Sequence, residues 1–207
     1  MFLTYPGGTS FMDHALRHRS SLSGTRSAQG IRLHAMAVEF PIVHGHPNRL
    51  PFEGVLTLVD TPSDKAPNGA RGHRVVLTRQ AAEAALPSLL GMAVDYKAGW
   101  DGHDARQKCG IITAAELVGD RIQVSGYLYA RDYPEMEEAI RSSGEMGMSY
   151  ELADAHVADM RAGIWTLTRA TFTGAAILLR DKAAYRRTSF RLSHQATGRA
   201  RSTAHAG

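Results

Sequence analysis

The sequence predicts an α+β protein, mainly β: an antiparallel barrel of about seven strands with two or more helices packed on it. Three observations predict it. Short apolar stretches alternate with the period of two that a half-buried strand needs. Clusters of Gly, Pro, Asp, Ser and Asn break them at short intervals, so neighbouring strands are joined by turns too short for parallel crossovers. Only two segments carry helix start signals, and helices so few in number pack on the outside of a sheet.

The first strand is the alternating run Ile31 to Met36, followed by a loop holding His44, His46, Pro47 and Pro51. Gly54–Val59 is a second strand and ends in the turn-rich DTPSDKAPNGARG. Arg74–Leu77 is a third. Thr78 then caps a helix whose apolar side is Ala81, Ala82, Ala85, Leu86, Leu89 and Leu90 and which Gly91 ends. Pro87, late in that helix, should kink or shorten it. Met92–Tyr96 leads into a polar loop, KAGWDGHDARQK. A hairpin follows, Cys109–Leu117 and Arg121–Ala130, turning at Val118-Gly119-Asp120. Asp132 and Glu135 have capping-box spacing, with Pro134 in the first turn of a helix that runs to Ser142 and stops at Gly144. Met146–His156 is a further strand, and Ile164–Leu179 forms one or two more.

The 207 residues fit one domain with tails. Residues 1–30 and 188–207 are polar, rich in Ser, Gly and Arg, and hold little apolar periodicity, so they are expected as flexible basic tails around a domain at 31–187. The formal net charge of +4 belongs to the ends: residues 33–185 carry a net −4. A basic groove on the folded surface is therefore not expected, and nucleic acid would be met weakly, through the arginine tails. No apolar run approaches the roughly 20 residues of a membrane-spanning helix, and the first residues lack the pattern of a secretory signal. The single cysteine, Cys109, excludes a disulfide framework.

Three places could carry chemistry. Gly99-Trp100-Asp101-Gly102-His103-Asp104 sets a histidine, the side chain suited to moving protons near neutral pH, in a loop freed by two glycines. Ser149 stands just inside a strand after Gly144-Glu145-Met146-Gly147-Met148, and Glu151, two residues on, shares its face. A serine needs a base to become a nucleophile, and the sequence supplies a candidate in His103. His44 and His46 would chelate a metal only in an extended segment, and Gly45 and Pro47 favour a loop. Cys109, in an apolar strand, reads as buried and inert.

The order of these pieces carries more than any one of them. A Gly102-His103-Asp104 loop precedes K-C-G-I-I-T-A-A-E-L at 108–117 and I-Q-V-S-G-Y-L-Y at 122–129. A capped helix, G-M-S-Y-E at 147–151 and F-T-G-A-A-I-L at 172–178 follow. This order resembles the prohead maturation proteases of tailed phages, which share their fold with the herpesvirus capsid assembly protease. The resemblance covers residues 50–185. It implies a herpesvirus-protease-like fold, His103 as general base and Ser149 as nucleophile, 46 residues apart, with no cofactor. It also implies scaffold, major capsid protein and the chain itself as substrates, a second copy as a partner to test, no membrane, and action in the host cytoplasm inside the immature capsid. The chain departs from the family at Leu167–Phe172, where many members carry an acid and this one has none. The third member of the triad is therefore open: Glu151 is the first candidate, Asp104 the next, and none at all a third possibility. His156, an odd seven residues from Ser149, falls on the opposite face of an uninterrupted strand. Two rival readings remain, an inactive capsid-assembly protein on the same fold and a nucleic-acid-associated protein using its arginine tails.

Overall fold

The computed structural model describes residues 32–38 and 45–193. The expected N-terminal tail and His44 lie outside these residues, as does the C-terminal segment from 194 onward. The described chain is mainly β. In order it forms β1 (Arg32–Ala37), β2 (Leu50–Leu58), β3 (Arg74–Leu77), α1 (Arg79–Ala85), a 3₁₀ turn (Leu86–Leu89), β4 (Ala93–Tyr96) and β5 (Lys108–Val118). Then come β6 (Arg121–Leu128), α2 (Pro134–Ser142), β7 (Met146–Val157), β8 (Ile164–Leu179) and β9 (Ser189–Leu192).

All nine strands join one sheet in the order β3-β8-β4-β5-β6-β2-β9, with β1 added to β5 and β7 to β8. The sheet curls until β7 packs against β2 and β9 with no ladder between them. Gly54 on β2 permits this closure: a Cβ there would meet Met148 Sδ of β7 at 2.8 Å. The interior holds Phe52, Leu56, Leu77, Leu86, Leu89, Ile112, Leu117, Ile122, Leu128 and Phe172, all nearly sealed from water. Burying one such side chain contributes about 1.5–3 kcal/mol, so these apolar positions, not the turns, hold the sheet closed.

Several expectations need correction. Most pairings are antiparallel, but β3 and β4 both run parallel to β8, along one of its edges. A 16-residue strand is long enough to take both short strands end to end. β9 lies inside the segment expected as the C-terminal tail and pairs with β2 through Phe190 opposite Gly54. The folded body therefore extends at least to Leu192.

Thr78 caps α1 as its sequence position predicts, its Oγ1 accepting the Ala81 N–H at 3.2 Å. The helix then tightens into the 3₁₀ turn at Pro87. The capping box on α2 does not form. Asp132 accepts from Asn48 Nδ2 at 2.9 Å, Glu135 accepts from Tyr96 Oη at 3.4 Å, and Tyr133 starts the helix with no side-chain cap.

Candidate active site

β8 is the platform of the site. Ala176 on β8 is opposite Ser149 of β7 on one edge and opposite Asp95 of β4 on the other. Directly paired residues present their side chains on the same face. Ser149 and Asp95 therefore share a face two strand spacings apart, about 10 Å between backbones, with only an alanine methyl between them.

The loop between β4 and β5 supplies the histidine. Its shape follows from its residues. Gly99 at φ +87° and Trp100 at φ +57° turn the chain through left-handed backbone. The Trp100 carbonyl accepts the Leu179 N–H at 2.8 Å, which ties the loop to the end of β8. At the other stem the Asp104 N–H donates to Asp95 Oδ1 at 3.3 Å. Between these ties His103 Nδ1 lies 3.3 Å from Asp95 Oδ1 and 3.9 Å from Glu151 Oε1. The ring therefore bridges β4 and β7 across the stretch of β8 that presents Gly174 and Ala176. Gly174 makes the room: a Cβ there would stand 2.5 Å from Glu151 Oε2.

Both His103 nitrogens are shielded from water, and neither completes an aligned hydrogen bond, since the Asp95 oxygen is close but off the ring N–H direction. Nε2 has no partner, so no hydrogen bond joins it to Ser149 Oγ in this state. Catalytic hydrogen bonds are commonly loose before substrate arrives.

The two carboxylates near His103 differ in kind. Glu151 is half exposed, whereas Asp95 is sealed at 0%. Asp95 Oδ2 also accepts Lys108 Nζ at 2.8 Å. Burial alone would push the Asp95 carboxyl up, but its contacts with His103 and Lys108 outweigh it and hold the group below the usual carboxylate range. Asp95 is thus a buried, ionised acid beside the imidazole, which is what an orienting acid must be.

Sequence reasoning did not single out Asp95. The signal was there: a lone acid between Val94 and Tyr96, in a short apolar strand, has no solvent to face and needs a buried partner.

The remaining candidates separate from this cluster. Asp104, next to His103 in sequence, turns its carboxylate to Arg106, accepting that residue's N–H at 3.0 Å, and its acidity rises through this backbone hydrogen bond first. His156, beyond irregular pairing in β7, contacts Thr168 Oγ1 at 3.0 Å. Cys109 is fully buried with its Sγ 3.4 Å from the Val94 carbonyl, and burial pushes the thiol up to about 12, which leaves it no nucleophilic thiolate at neutral pH. His46 Nδ1 accepts the Asn48 N–H within a turn.

The edge of β7 that faces away from β8 bears on what the site could hold. Arg180 N–H donates to the Glu145 carbonyl at 2.9 Å, so residues 145, 147, 149 and 151 direct their peptides to β8. Met148 points its N–H the other way, to Thr188 Oγ1 at 3.4 Å. By alternation the Tyr150 peptide faces that same side, where no strand of the described residues pairs with β7.

No protein-family model matches the chain, and no curated protein matches it. Among solved structures it is similar to the KSHV protease in complex with a hexapeptide phosphonate inhibitor, with 13% identity and a TM-score of 0.46. The likeness covers 71% of this chain and 66% of that one, so the chain spans just under two thirds of the viral protease's length.

Proposed function

We propose that this protein is a serine endopeptidase of the prohead-maturation kind, with Ser149 as nucleophile, His103 as base and Asp95 as the acid that orients it. The observation that carries the reading is the shared rung of Ser149, Ala176 and Asp95, with His103 bridging β4 and β7 over it.

In the reaction, Ser149 Oγ attacks the peptide carbonyl carbon while His103 Nε2 takes the hydroxyl proton. The C–N bond then breaks and the same proton passes to the leaving amine. Water, deprotonated by His103, releases the acyl group from Ser149. Asp95 stays ionised throughout and offsets the positive charge that the imidazole gains. An extended peptide suits the site because β7 carries a ladder only to β8 among the described residues, and the Tyr150 peptide group is left without one. Scaffold, major capsid protein and the chain itself are the proposed substrates, inside an immature capsid in the host cytoplasm.

One observation favours the inactive-assembly reading, the absence of a Ser149–His103 hydrogen bond. A fluorophosphonate probe separates the two. The protease reading expects covalent label on Ser149, located by peptide mass spectrometry, and none in His103→Ala. It also expects a co-expressed scaffold or coat protein to be cut by wild type and left whole by Ser149→Ala. Label spread over surface serines at the same rate in both proteins would defeat the protease reading.

A further inference from the structure

Asp95 is held from two sides. His103 and the Asp104 N–H address Oδ1, at 3.3 Å each, and Lys108 addresses Oδ2 at 2.8 Å. Lys108 opens β5 and is opposite Asp95 across a register shift that separates it from the regular Val94–Gly110 pairing. That irregularity delivers the ammonium to an oxygen that a straight ladder would leave facing only apolar neighbours. Cys109, the next residue, is buried behind it and neutral.

We propose that Lys108 is a positioning residue: it fixes the orienting carboxylate through Oδ2, so that Oδ1, which also takes the Asp104 N–H, is turned to direct His103 toward Ser149. This deepens the serine-hydrolase reading and rests on it.

The physical case is a balance. A carboxylate removed from water is costly to keep charged unless cations and donors replace its hydration. The charged groups around Asp95 and its partner are few. Lys108 faces it from β5 and His103 from the loop, while Glu151 faces His103 from β7. Asp104 presents its N–H to Asp95 and its carboxylate to Arg106. Lys108 is therefore the only permanent cation in contact with Asp95 among the described residues. Without it, one of the two partners that offset burial is gone, and the Asp95 carboxyl takes up its proton at higher pH.

The test compares wild type, Lys108→Met, Lys108→Arg and the double variant Asp95→Asn/Lys108→Met. Two readouts are used: the pH dependence of Ser149 phosphonylation by a fluorophosphonate, and the carboxyl-carbon NMR titration of Asp95. In Lys108→Met the Asp95 midpoint should rise by about one to three pH units, and the acid limb of the rate profile should move up with it. Near pH 6 the rate should fall by less than about tenfold, with less loss at alkaline pH. Lys108→Arg, which keeps the charge, should restore most of the rate. Adding Lys108→Met to Asp95→Asn should cost less than threefold more, because residues acting as a unit do not add. This pair also answers if the single Met variant does not fold, since it removes both charges together.

An unchanged Asp95 midpoint and acid limb in Lys108→Met would overturn the proposal. So would a full, independent loss on adding Lys108→Met to Asp95→Asn. If wild type does not label at Ser149, the hydrolase reading falls, and the Asp95 titration alone decides whether Lys108 sets the carboxylate.

Discussion

Asp95→Asn is the substitution that most sharply divides the two carboxylates near His103. The change keeps size and shape but replaces two acceptor oxygens by one oxygen and one NH₂ donor. Asp95 meets donors on both sides, with Lys108 Nζ at 2.8 Å from one oxygen and the Asp104 N–H and His103 Nδ1 at 3.3 Å from the other. An asparagine must therefore set its NH₂ against a donor, whichever way it is flipped. Losing a charge-assisted hydrogen bond and stranding a partly buried ammonium should cost about 2–3 kcal/mol of stability at neutral pH.

The pH dependence has a definite sign. The folded carboxyl titrates below its unfolded value, so its contribution is complete above the ordinary Asp range and is lost as pH falls through the folded value. The stability gap between wild type and Asp95→Asn should thus be constant from pH 7 to about 5 and shrink below about pH 4. On the proposed reading, phosphonylation of Ser149 should also slow by about a thousand- to ten-thousand-fold, because an amide in place of the orienting acid favours the wrong tautomer. That is roughly 4–5.5 kcal/mol of barrier. Urea unfolding across pH and labelling rates read both effects. A Ser149 rate within threefold of wild type in Asp95→Asn, together with a hundredfold loss in Glu151→Gln, would refute the assignment and return the role to Glu151.

Other outcomes follow from single contacts. Gly174→Ala places a methyl group 2.5 Å from Glu151 Oε2; the half-exposed side chain should swing into solvent at a cost below about 1 kcal/mol, leaving the Ser149 labelling rate within threefold if Asp95 is the orienting acid. Cys109, buried and with its thiol pushed up to about 12, should resist maleimide at pH 8 in the folded protein and react fully once unfolded in urea; rapid native labelling would contradict the packing of β4 on β5. Thr78→Ala removes the Oγ1 acceptor that the Ala81 N–H uses at 3.2 Å and should cost about 1 kcal/mol in urea unfolding, with no effect on Ser149 labelling.

Much of this architecture was readable from local pattern. The hairpin of β5 and β6, the Thr78 cap, the Pro87 break and the strand around Ser149 are all set by neighbours in sequence, and each stands close to where its residues predict it. What escaped depends on distant partners. Parallel pairing of β3 and β4 with β8 has no local signature, because direction in a sheet is decided by the partner. β9 is four residues in an arginine- and serine-rich stretch, and only Phe190, packed on Phe52 with ring centroids 5.1 Å apart, reveals that it is held by the core. The capping box on α2 failed because Asp132 and Glu135 both found partners outside the helix. In the site, the His103 loop and Ser149 stood out by their glycines and spacing. Asp95 did not, since a buried acid is defined by what surrounds it and its nearest sequence neighbours are apolar.

The rung through Asp95, Ala176 and Ser149 also has a temporal consequence. Its three members come from β4, β8 and β7, and the two chemical groups are separated by 54 residues of chain. Contacts of such long sequence separation close late and slowly during folding, after local hairpins have formed. β8 must be complete before either flank can register on it, and β8 follows both β4 and β7 along the chain. On the proposed reading, a nascent chain therefore owns a serine and a histidine before it owns a working pair. On that reading, cutting waits until β4, β7 and β8 have come together, so the topology itself works as a clock that separates synthesis of the site from its use.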